Sequence, residues 1–364
     1  MIVEEKKFKA TIRQHYVYRK YLSSWTPEKK TTGMIQCYRK EEKKIFPSSL
    51  MGVGQSRYFY EFHILTEIEK MMVCLMTQTK NKTVKETNPL HTLKEITDIE
   101  KIQKIHEFYK NGGASNTGVL SSLFSEYDAD IYTELRREVG EKMQGLYESS
   151  GLPFLKPLTE GDIEFLKNKK NVMDFVTYLA MQYIRTAYMR DRQNKLFLPM
   201  IKEHEQFLRF IPFCNEELKA ANIPFNSEKA QEEMKDIDKN LNFEKVHPYT
   251  LMSHVTELTY GIAILHKPVF HILESVENVN FITSDQPVIN IHFDPFSKDE
   301  PSDVVFYYPL SPKYAVIIDF NNNNYERKCS AEQVIMYNQK IINLSFSQIY
   351  SIHAEDFRIN GIVG

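Results

Sequence analysis

The feature that most constrains the fold is a change of hydrophobic pattern at about residue 262. Before it, residues 97–245 show helical periodicity, most clearly over 171–192, where Phe175 and Leu179 share one apolar stripe. After it, turn residues separate short runs rich in β-branched and aromatic residues, at 269–273, 280–283, 288–292, 304–308 and 314–320. Strands clustered after helices favour an α+β fold over an alternating α/β fold. We therefore predict a mostly helical N-terminal and middle part packed on a C-terminal antiparallel sheet.

We expect one large α+β domain over residues 1–364, with a helical subregion at about 97–260 and a β-rich subregion at about 262–351. A chain of this length buries roughly 75% of the surface that its unfolded form exposes, so the core can be substantial. The apolar fraction of 42% also fits a folded globular protein.

The balance of charge limits the partners. The sequence has 46 basic and 48 acidic residues, which gives a net charge of −2. This balance argues against a protein that coats nucleic acid through bulk charge, but it does not exclude a local basic groove. Nucleic acid therefore remains open as a partner.

The cysteines and the N-terminal residues indicate the compartment. The cysteines are widely spaced, so neither a CxxC zinc site nor a disulfide framework is predicted; they are Cys37, Cys74, Cys214 and Cys329. The N-terminus lacks the apolar stretch of a signal peptide. A membrane span needs a window of ~18 apolar residues, which the sequence does not contain. We expect a cytoplasmic protein with no membrane partner.

A strand-turn segment, Phe281–Ile289, places a hydroxyl group and a carboxylate at the end of an apolar run. Ser284 and Asp285 precede Pro287, and such residues shape turns through their own side-chain hydrogen bonds. In the functional interpretation, Asp285 is an acid, a base or a ligand of a divalent metal, Mg²⁺ or Mn²⁺, at the end of the sheet. Both interpretations stay open at this point.

An asparagine lies on the apolar face of the last predicted helix, 331–346. Asn338 shares that face with Val334 and Ile341. A buried amide without partners costs about 1–3 kcal/mol, so its side chain must bond something. That partner is either the backbone of a loop or a catalytic group or ligand.

Gln182 and Arg185 are three residues apart on the helix predicted over 171–192, so they are neighbours on its surface. An arginine near a buried face usually has a carboxylate or a phosphate as its partner. A structural ion pair, for which Asp285 is one candidate, and a phosphate-binding role are the two alternatives.

His15 opens the first predicted helix, which covers Gln14–Trp25. It is either a structural residue or a general acid or base that works near neutral pH.

His63 and Glu67 share a face of the second predicted helix, Phe62–Met76, but two ligands are too few for a metal site. The sequence has no Walker A loop, no GxSxG elbow and no HExxH motif.

Five blocks of residues follow one another between residues 15 and 351. They are His15-Tyr16-Val17-Tyr18 with Tyr21, Leu22 and Trp25; Gln182-Tyr183-Ile184-Arg185-Thr186; Phe281–Val288; Pro309-Leu310-Ser311-Pro312; and Asn338 with Ile349-Tyr350-Ser351. No single block is specific, but in this order they resemble the domain of unknown function 4238 family. The sequence departs from the family pattern at Tyr18, where the family has proline.

The resemblance implies a context and no settled chemistry. Some family members look like stand-alone bacterial defence genes against bacteriophage. This implies an intracellular effector, set off by a phage-derived trigger, that kills or arrests an infected cell. The commonest chemistry for that role is cleavage of nucleic acid, and this step is an analogy.

We predict that six polar residues converge on one pocket of a phosphodiesterase-type nuclease that acts on RNA more than on DNA; they are His15, Gln182, Arg185, Ser284, Asp285 and Asn338. His15 would be the general acid or base, and Arg185 would stabilise charge on phosphate. Asp285 would orient His15 or bind the metal. Two alternatives are a non-enzymatic sensor or binding module with a structural polar cluster, and a toxin that hydrolyses a nucleotide or another small molecule.

Overall fold

The structure is a computed structural model that describes residues 8–79, 88–111, 130–202, 205–295 and 301–362. The chain divides into two compact units, each assembled from three segments. Unit 1 comprises Met1–Gln14, Tyr60–Gln144 and Arg192–His254, and unit 2 comprises His15–Phe59, Gly145–Asp191 and Val255–Gly364. The organisation as one domain stays a prediction.

Helices make up most of the described chain. Their bounds are α1 Arg19–Leu22, α2 Glu67–Met76, α3 His91–Lys110, α4 Asp130–Thr159, α5 Lys169–Ile184, α6 Ala187–Lys202, α7 Ile211–Ala220, α8 Ser227–Met234, α9 Ile237–Asn240, α10 Phe243–Tyr260, α11 Ala331–Leu344 and α12 Ala354–Ile359. A π-helical turn, Gly261–Leu265, follows α10. Short 3₁₀ turns occupy Ser23–Trp25, Glu164–Lys167 and Glu205–Phe210.

The strands are short. Their bounds are β1 Arg13–His15, β2 Met34–Arg39, β3 Lys44–Ser49, β4 Gln55–Arg57, β5 Val269–Ser275, β6 Thr283–Ser284, β7 Ile289–Asn290, β8 Phe306–Pro309, β9 Tyr314–Asp319, β10 Lys328–Cys329 and β11 Gln348–Ser351. Most of the helices and most of the strands lie in separate stretches of the sequence. This arrangement confirms the predicted α+β class.

Unit 1 has a helical core. Helix α2 begins at Thr66 with a capping box, in which the Thr66 hydroxyl accepts from Glu69 N and the Glu69 carboxylate accepts from Thr66 N. Its apolar side chains, among them Ile68, Met71 and Val73, are buried against α7 and α8, in a cluster that also contains residues of α10. The capping box fixes where α2 starts and therefore which of its faces meets the core.

Unit 2 holds the two larger sheets. One has the order β10-β5-β9-β8-β7, and its pairs are antiparallel except for the parallel pair β10–β5. The other has the order β3-β2-β11-β6 and joins strands from the two ends of the chain, with Ile349 opposite both Tyr38 and Ser284. The prediction placed the strands only after residue 262, so it missed β2 and β3.

The first predicted helix is wrong over its first half. His15 ends strand β1 and does not open a helix. The backbone N–H groups of Tyr16 and Val17 both donate to the Gly54 carbonyl, which holds this segment in a bend that follows β1. Tyr18 is the residue before α1, with φ −64° and ψ 119°. A bond to a residue nearly forty positions away overrides the local helical pattern.

The strongest predicted helix, 171–192, is two helices, α5 and α6. The break falls at Arg185 and Thr186. The Thr186 hydroxyl accepts from Met189 N, which starts α6 with a local cap. The helical periodicity correctly predicted that this segment is helical. It did not predict the break, because a threonine that caps a helix does not interrupt the apolar stripe.

The described helices include none that is both long enough and apolar enough to traverse a bilayer.

Candidate functional site

Asp285 is held inside unit 2 by the segment that precedes β11. It is completely buried. Its Oδ1 accepts from Phe346 N at 2.8 Å, and its Oδ2 accepts from Ser347 N, Ser347 Oγ and Gln348 N at 2.7–2.9 Å. Four donors on two oxygens saturate the carboxylate. Its observed contacts are those of a residue that fixes the backbone of 346–348.

The pKa shifts of Asp285 and of its neighbour Lys40 both reflect the burial of this site. Burial raises the pKa of Asp285 above its ordinary value, and the hydrogen bonds from residues 346–348 act in the opposite direction. Burial also lowers the pKa of Lys40, while the charge of Asp285 works against that shift. The Lys40 ammonium donates to the Ser345 carbonyl at 2.6 Å.

Ser284 acts on the turn that follows it. Its hydroxyl donates to Gln286 O at 3.0 Å and accepts from Gln286 N at 3.1 Å. The side chain of Gln286 donates to Tyr183 O and accepts from the Thr186 hydroxyl. The turn is therefore tied to the junction of α5 and α6, a connection that the sequence did not reveal.

Asn338 holds the backbone that leads into β6. Its Oδ1 accepts from Ile282 N at 3.0 Å, and its Nδ2 donates to Asn280 O at 2.9 Å. The residue is completely buried. These bonds match the first of the two alternatives, an asparagine that holds a loop backbone. Its predicted catalytic role remains a prediction.

Arg185 lies at the junction of α5 and α6, with Glu148 as its ion-pair partner. The guanidinium is fully buried, and its Nη1 lies 2.8 Å from Glu148 Oε1. Its Nη2 donates to Gln182 Oε1 at 3.1 Å. Glu148 keeps 20% of its side-chain surface exposed. The buried cation therefore holds a carboxylate that reaches solvent, and the observed ion pair is with Glu148.

Tyr18 completes this group, which we call the Arg185 cluster: Tyr18, Glu148, Gln182 and Arg185. Burial and then the negative charge of Glu148 raise the pKa of the half-buried Tyr18 phenol to about 12, while Arg185 and Arg19 act in the opposite direction. The phenol is therefore protonated at neutral pH. The cluster combines a carboxylate, a proton donor and a fixed cation.

The wall behind the Arg185 cluster is aromatic. The hydroxyl groups of Tyr178 and Tyr308 lie 3.2 Å apart, and Tyr21 stacks on Tyr308 with ring centroids 4.9 Å apart. The charge of Arg185 acts on both Tyr178 and Tyr308. Low-polarity rings on the inner side strengthen electrostatic interactions within the cluster.

His15 lies at the edge of unit 2, with 8% of its surface exposed. Its Nε2 lies 3.2 Å from Leu50 O, and because a carbonyl only accepts, this nitrogen carries the proton. His15 precedes Tyr18 by three residues, so their Cα atoms are at most about 11 Å apart. The backbone of His15 therefore lies near that of Tyr18, which belongs to the Arg185 cluster.

The predicted metal site has little support in the donor set. No group of three His, Cys, Asp or Glu side chains suited to a metal ion occurs among the described residues. Both oxygens of Asp285 are occupied by N–H and O–H donors. Glu67 accepts from Lys70 and from Asn226 N, and His63 faces Glu61. Each of these side chains is engaged with a different partner.

Glu148 and Tyr18 are the functional candidates that sequence reasoning missed. Tyr18 was treated only as a departure from the family pattern. Glu148 lies in the middle of α4, which continues through Pro153 to Thr159. No local signal marks Glu148, because its partner Arg185 comes 37 residues later.

A family model described as "Protein of unknown function (DUF4238)" matches residues 13–355. The match spans nearly the whole chain and includes all the residues of the Arg185 cluster and of the Asp285 site. No curated protein matched the chain, and no solved structure did. On the extent of this match, the chain belongs to the DUF4238 family.

Proposed function

We propose that the protein is a cytoplasmic effector that cleaves RNA at the Arg185 cluster, in the bacterial defence context that the family resemblance implies. The observation that carries the proposal is the ion pair of Arg185 and Glu148, in which a fully buried guanidinium holds a partly exposed carboxylate whose charge acts on the half-buried Tyr18 phenol. A base and an acid that both reach solvent are what general acid–base cleavage of a phosphodiester needs.

The roles follow from exposure. Glu148 reaches solvent and takes the proton of the ribose 2′-hydroxyl as its oxygen attacks phosphorus. The bond from phosphorus to the 5′-oxygen breaks, and that oxygen takes the proton of Tyr18, which is later restored from Glu148 through water. Arg185 is buried and acts through Glu148, so it is a positioning residue. Because the nucleophile belongs to the substrate, RNA is preferred to DNA.

The segment 15–59, which carries Tyr18, gives the site its charge. It contains nine Lys or Arg residues and three Glu residues, a net charge of +6, whereas the whole chain has −2. Arg19 is half-buried and acts on Tyr18, and Lys20 beside it is exposed. Local positive charge of this kind favours a polyanionic substrate despite the acidic balance of the chain.

Cleavage assays test the proposal. Purified wild-type protein is incubated with single-stranded RNA and with DNA of the same sequence, in Mg²⁺, in Mn²⁺ and in EDTA. We expect RNA products with 2′,3′-cyclic phosphate ends. Glu148→Gln and Tyr18→Phe should each lower the rate by about 10²–10⁴-fold. His15→Ala reports whether the nearby imidazole shares in proton transfer.

The matched control is Glu164→Gln. Glu164 is also in unit 2, but its ion pair with Lys167 is exposed, with side-chain exposures of 72% and 77%. This variant should cleave like the wild type. Equal rates for wild type, Glu148→Gln and Tyr18→Phe, with all proteins folded, would refute the assignment.

A non-enzymatic RNA-binding module is the second candidate. The hydrogen bonds of Asp285 and Asn338 favour it, because the polar side-chain atoms of these two residues bond mainly to backbone groups. In that case the protein binds RNA in a salt-dependent way through residues 15–59 and leaves it intact. If it neither binds nor cuts RNA, metabolite profiling after induced expression tests the remaining alternative, a toxin that hydrolyses a nucleotide or other small molecule.

A further inference from the structure

A cavity of about 270 Å³ lies in unit 1 where three helix ends meet. Thr77, the residue after α2, and Ala221, the residue after α7, both line it. Leu90, the residue before α3, lines it as well. An engineered cavity of roughly 150 Å³ holds a benzene molecule, so this cavity has room for a small organic molecule.

Glu217 brings a full negative charge to this cavity. It lines the cavity one helical turn before Ala221 and is half-buried. Among the described residues, its side chain has neither an ion-pair partner nor a hydrogen bond. The described lining residues include no Lys, Arg or His. The charge of the Glu217 carboxylate is therefore not balanced by any residue that lines the cavity.

The helix ends add to this negative charge. The C-terminal end of an α-helix carries about half a negative charge, and the N-terminal end carries about half a positive charge. Helices α2 and α7 end at the cavity, and only α3 begins there among the described helices. With the Glu217 carboxylate, the negative contributions outweigh the positive one, so the cavity should attract a cation and repel an anion.

The other lining residues determine which kind of cation fits. Gln78 Nε2 donates to Cys74 O at 3.2 Å, which leaves Gln78 Oε1 as an acceptor. Pro89, Leu90 and Ala221 give the cavity apolar surface. A primary ammonium group carries three N–H donors, so it can bond a carboxylate and an amide oxygen together. A calcium ion, by contrast, needs six to eight oxygen ligands.

We propose that this cavity binds a small primary amine. Its ammonium group pairs with the Glu217 carboxylate, and its compact apolar part packs on Pro89, Leu90 and Ala221. The amine site lies in unit 1 and the Arg185 cluster in unit 2. Amine binding therefore goes beyond the proposed cleavage of RNA and does not depend on it.

Ligand-detected NMR titrations of the full wild-type chain test this proposal. The probes have similar size and differ in charge: phenethylamine is a cation, phenethyl alcohol is neutral and phenylacetate is an anion. We expect the amine to bind with a dissociation constant on the order of 1 mM, as suits so small a ligand. The alcohol should bind at least about tenfold more weakly, because it makes no charge-assisted hydrogen bond to Glu217. The anion should not bind.

Three substitutions locate the binding. Glu217→Gln keeps the size of the side chain and removes its charge, so the preference for the amine over the alcohol should disappear. Ala221→Leu keeps the charge but fills the cavity, so it should abolish binding of the amine. Glu216→Gln is the matched control, because Glu216 is exposed on the same helix, and it should bind the probes like wild type. Thermal melts establish that each variant is folded.

Equal affinities of the wild-type protein for the amine and the alcohol would overturn the proposal. So would amine binding that Glu217→Gln leaves unchanged, or a lack of binding of all three probes. Amine binding that persists in folded Ala221→Leu would place the amine elsewhere and would also overturn it. If Ala221→Leu does not fold, the comparison of Glu217→Gln with Glu216→Gln decides.

Discussion

The Asp285 site and the Arg185 cluster both contain a buried charged group in unit 2, but they differ in what that group holds. Asp285 accepts four hydrogen bonds from residues 346–348, and no part of it reaches solvent. Arg185 is equally buried, yet it holds a carboxylate with 20% of its surface exposed. A buried charged side chain that bonds backbone groups stabilises the fold. A buried charged side chain that positions a partly exposed carboxylate leaves that carboxylate available to react with a substrate.

The largest effect is expected from Asp285→Ala. The change leaves three backbone N–H groups and a hydroxyl without their acceptor in a buried place, so it should destabilise the protein by about 4 kcal/mol. Urea denaturation measures this loss. Asp162→Ala is the control, because Asp162 is exposed and accepts one backbone N–H, from Glu164. Similar losses for the two variants would contradict the structural role of Asp285.

Asn338→Ala should come next, with a loss of about 2–3 kcal/mol. It removes the bonds to Asn280 O and Ile282 N and leaves both groups buried. Lys340→Ala, at an exposed position of the same helix, should change stability by less than about 0.5 kcal/mol. If Asn338→Ala were as stable as wild type but inactive, the catalytic interpretation of Asn338 would be favoured over the structural one.

Two tyrosines at the start of unit 2 give a paired test of stability. The Tyr21 hydroxyl is buried and lies 2.7 Å from both Thr283 Oγ1 and Pro309 O, so Tyr21→Phe should cost about 1–2 kcal/mol. Tyr18 is half-buried, and Tyr18→Phe should cost about 0.5 kcal/mol or less. Thermal melts compare them. A larger loss for Tyr18→Phe would show that the Arg185 cluster is a structural network.

The smallest effect concerns pH. The pKa of Asp285 is raised in the folded protein above its ordinary value of 3.8. Its contribution to stability is therefore fully present below pH 3.8 and is lost as the pH rises through the folded-state pKa. The free energy of unfolding of wild type should fall over this window relative to that of Asp285→Asn. Parallel pH profiles of the two proteins would show that the folded-state pKa is not raised.

Local patterns predicted the C-terminal part of the fold well. Helix α11 starts at the predicted residue 331, and strands β5 and β9 lie within one or two residues of their predicted bounds. The apolar face of α11 also showed that Asn338 must bond something. These features depend on residues close together in sequence, so one sequence suffices to find them.

Features that depend on distant residues were missed. Gly54 fixes the backbone at Tyr16 and Val17, and the partly exposed Glu148 gains its place from Arg185. Neither spacing nor composition encodes which distant side chains meet.

The pairing of β2 with β11 bears on when unit 2 is completed during synthesis. The ribosome must add about 300 residues after β2 before β11 exists, which takes roughly 15–60 s at typical elongation rates. Until then, β2 has its partner β3 on one edge and an empty edge on the other. A nascent chain that stalls before residue 348 therefore cannot finish this sheet, and an interrupted translation product would lack the backbone that encloses Asp285.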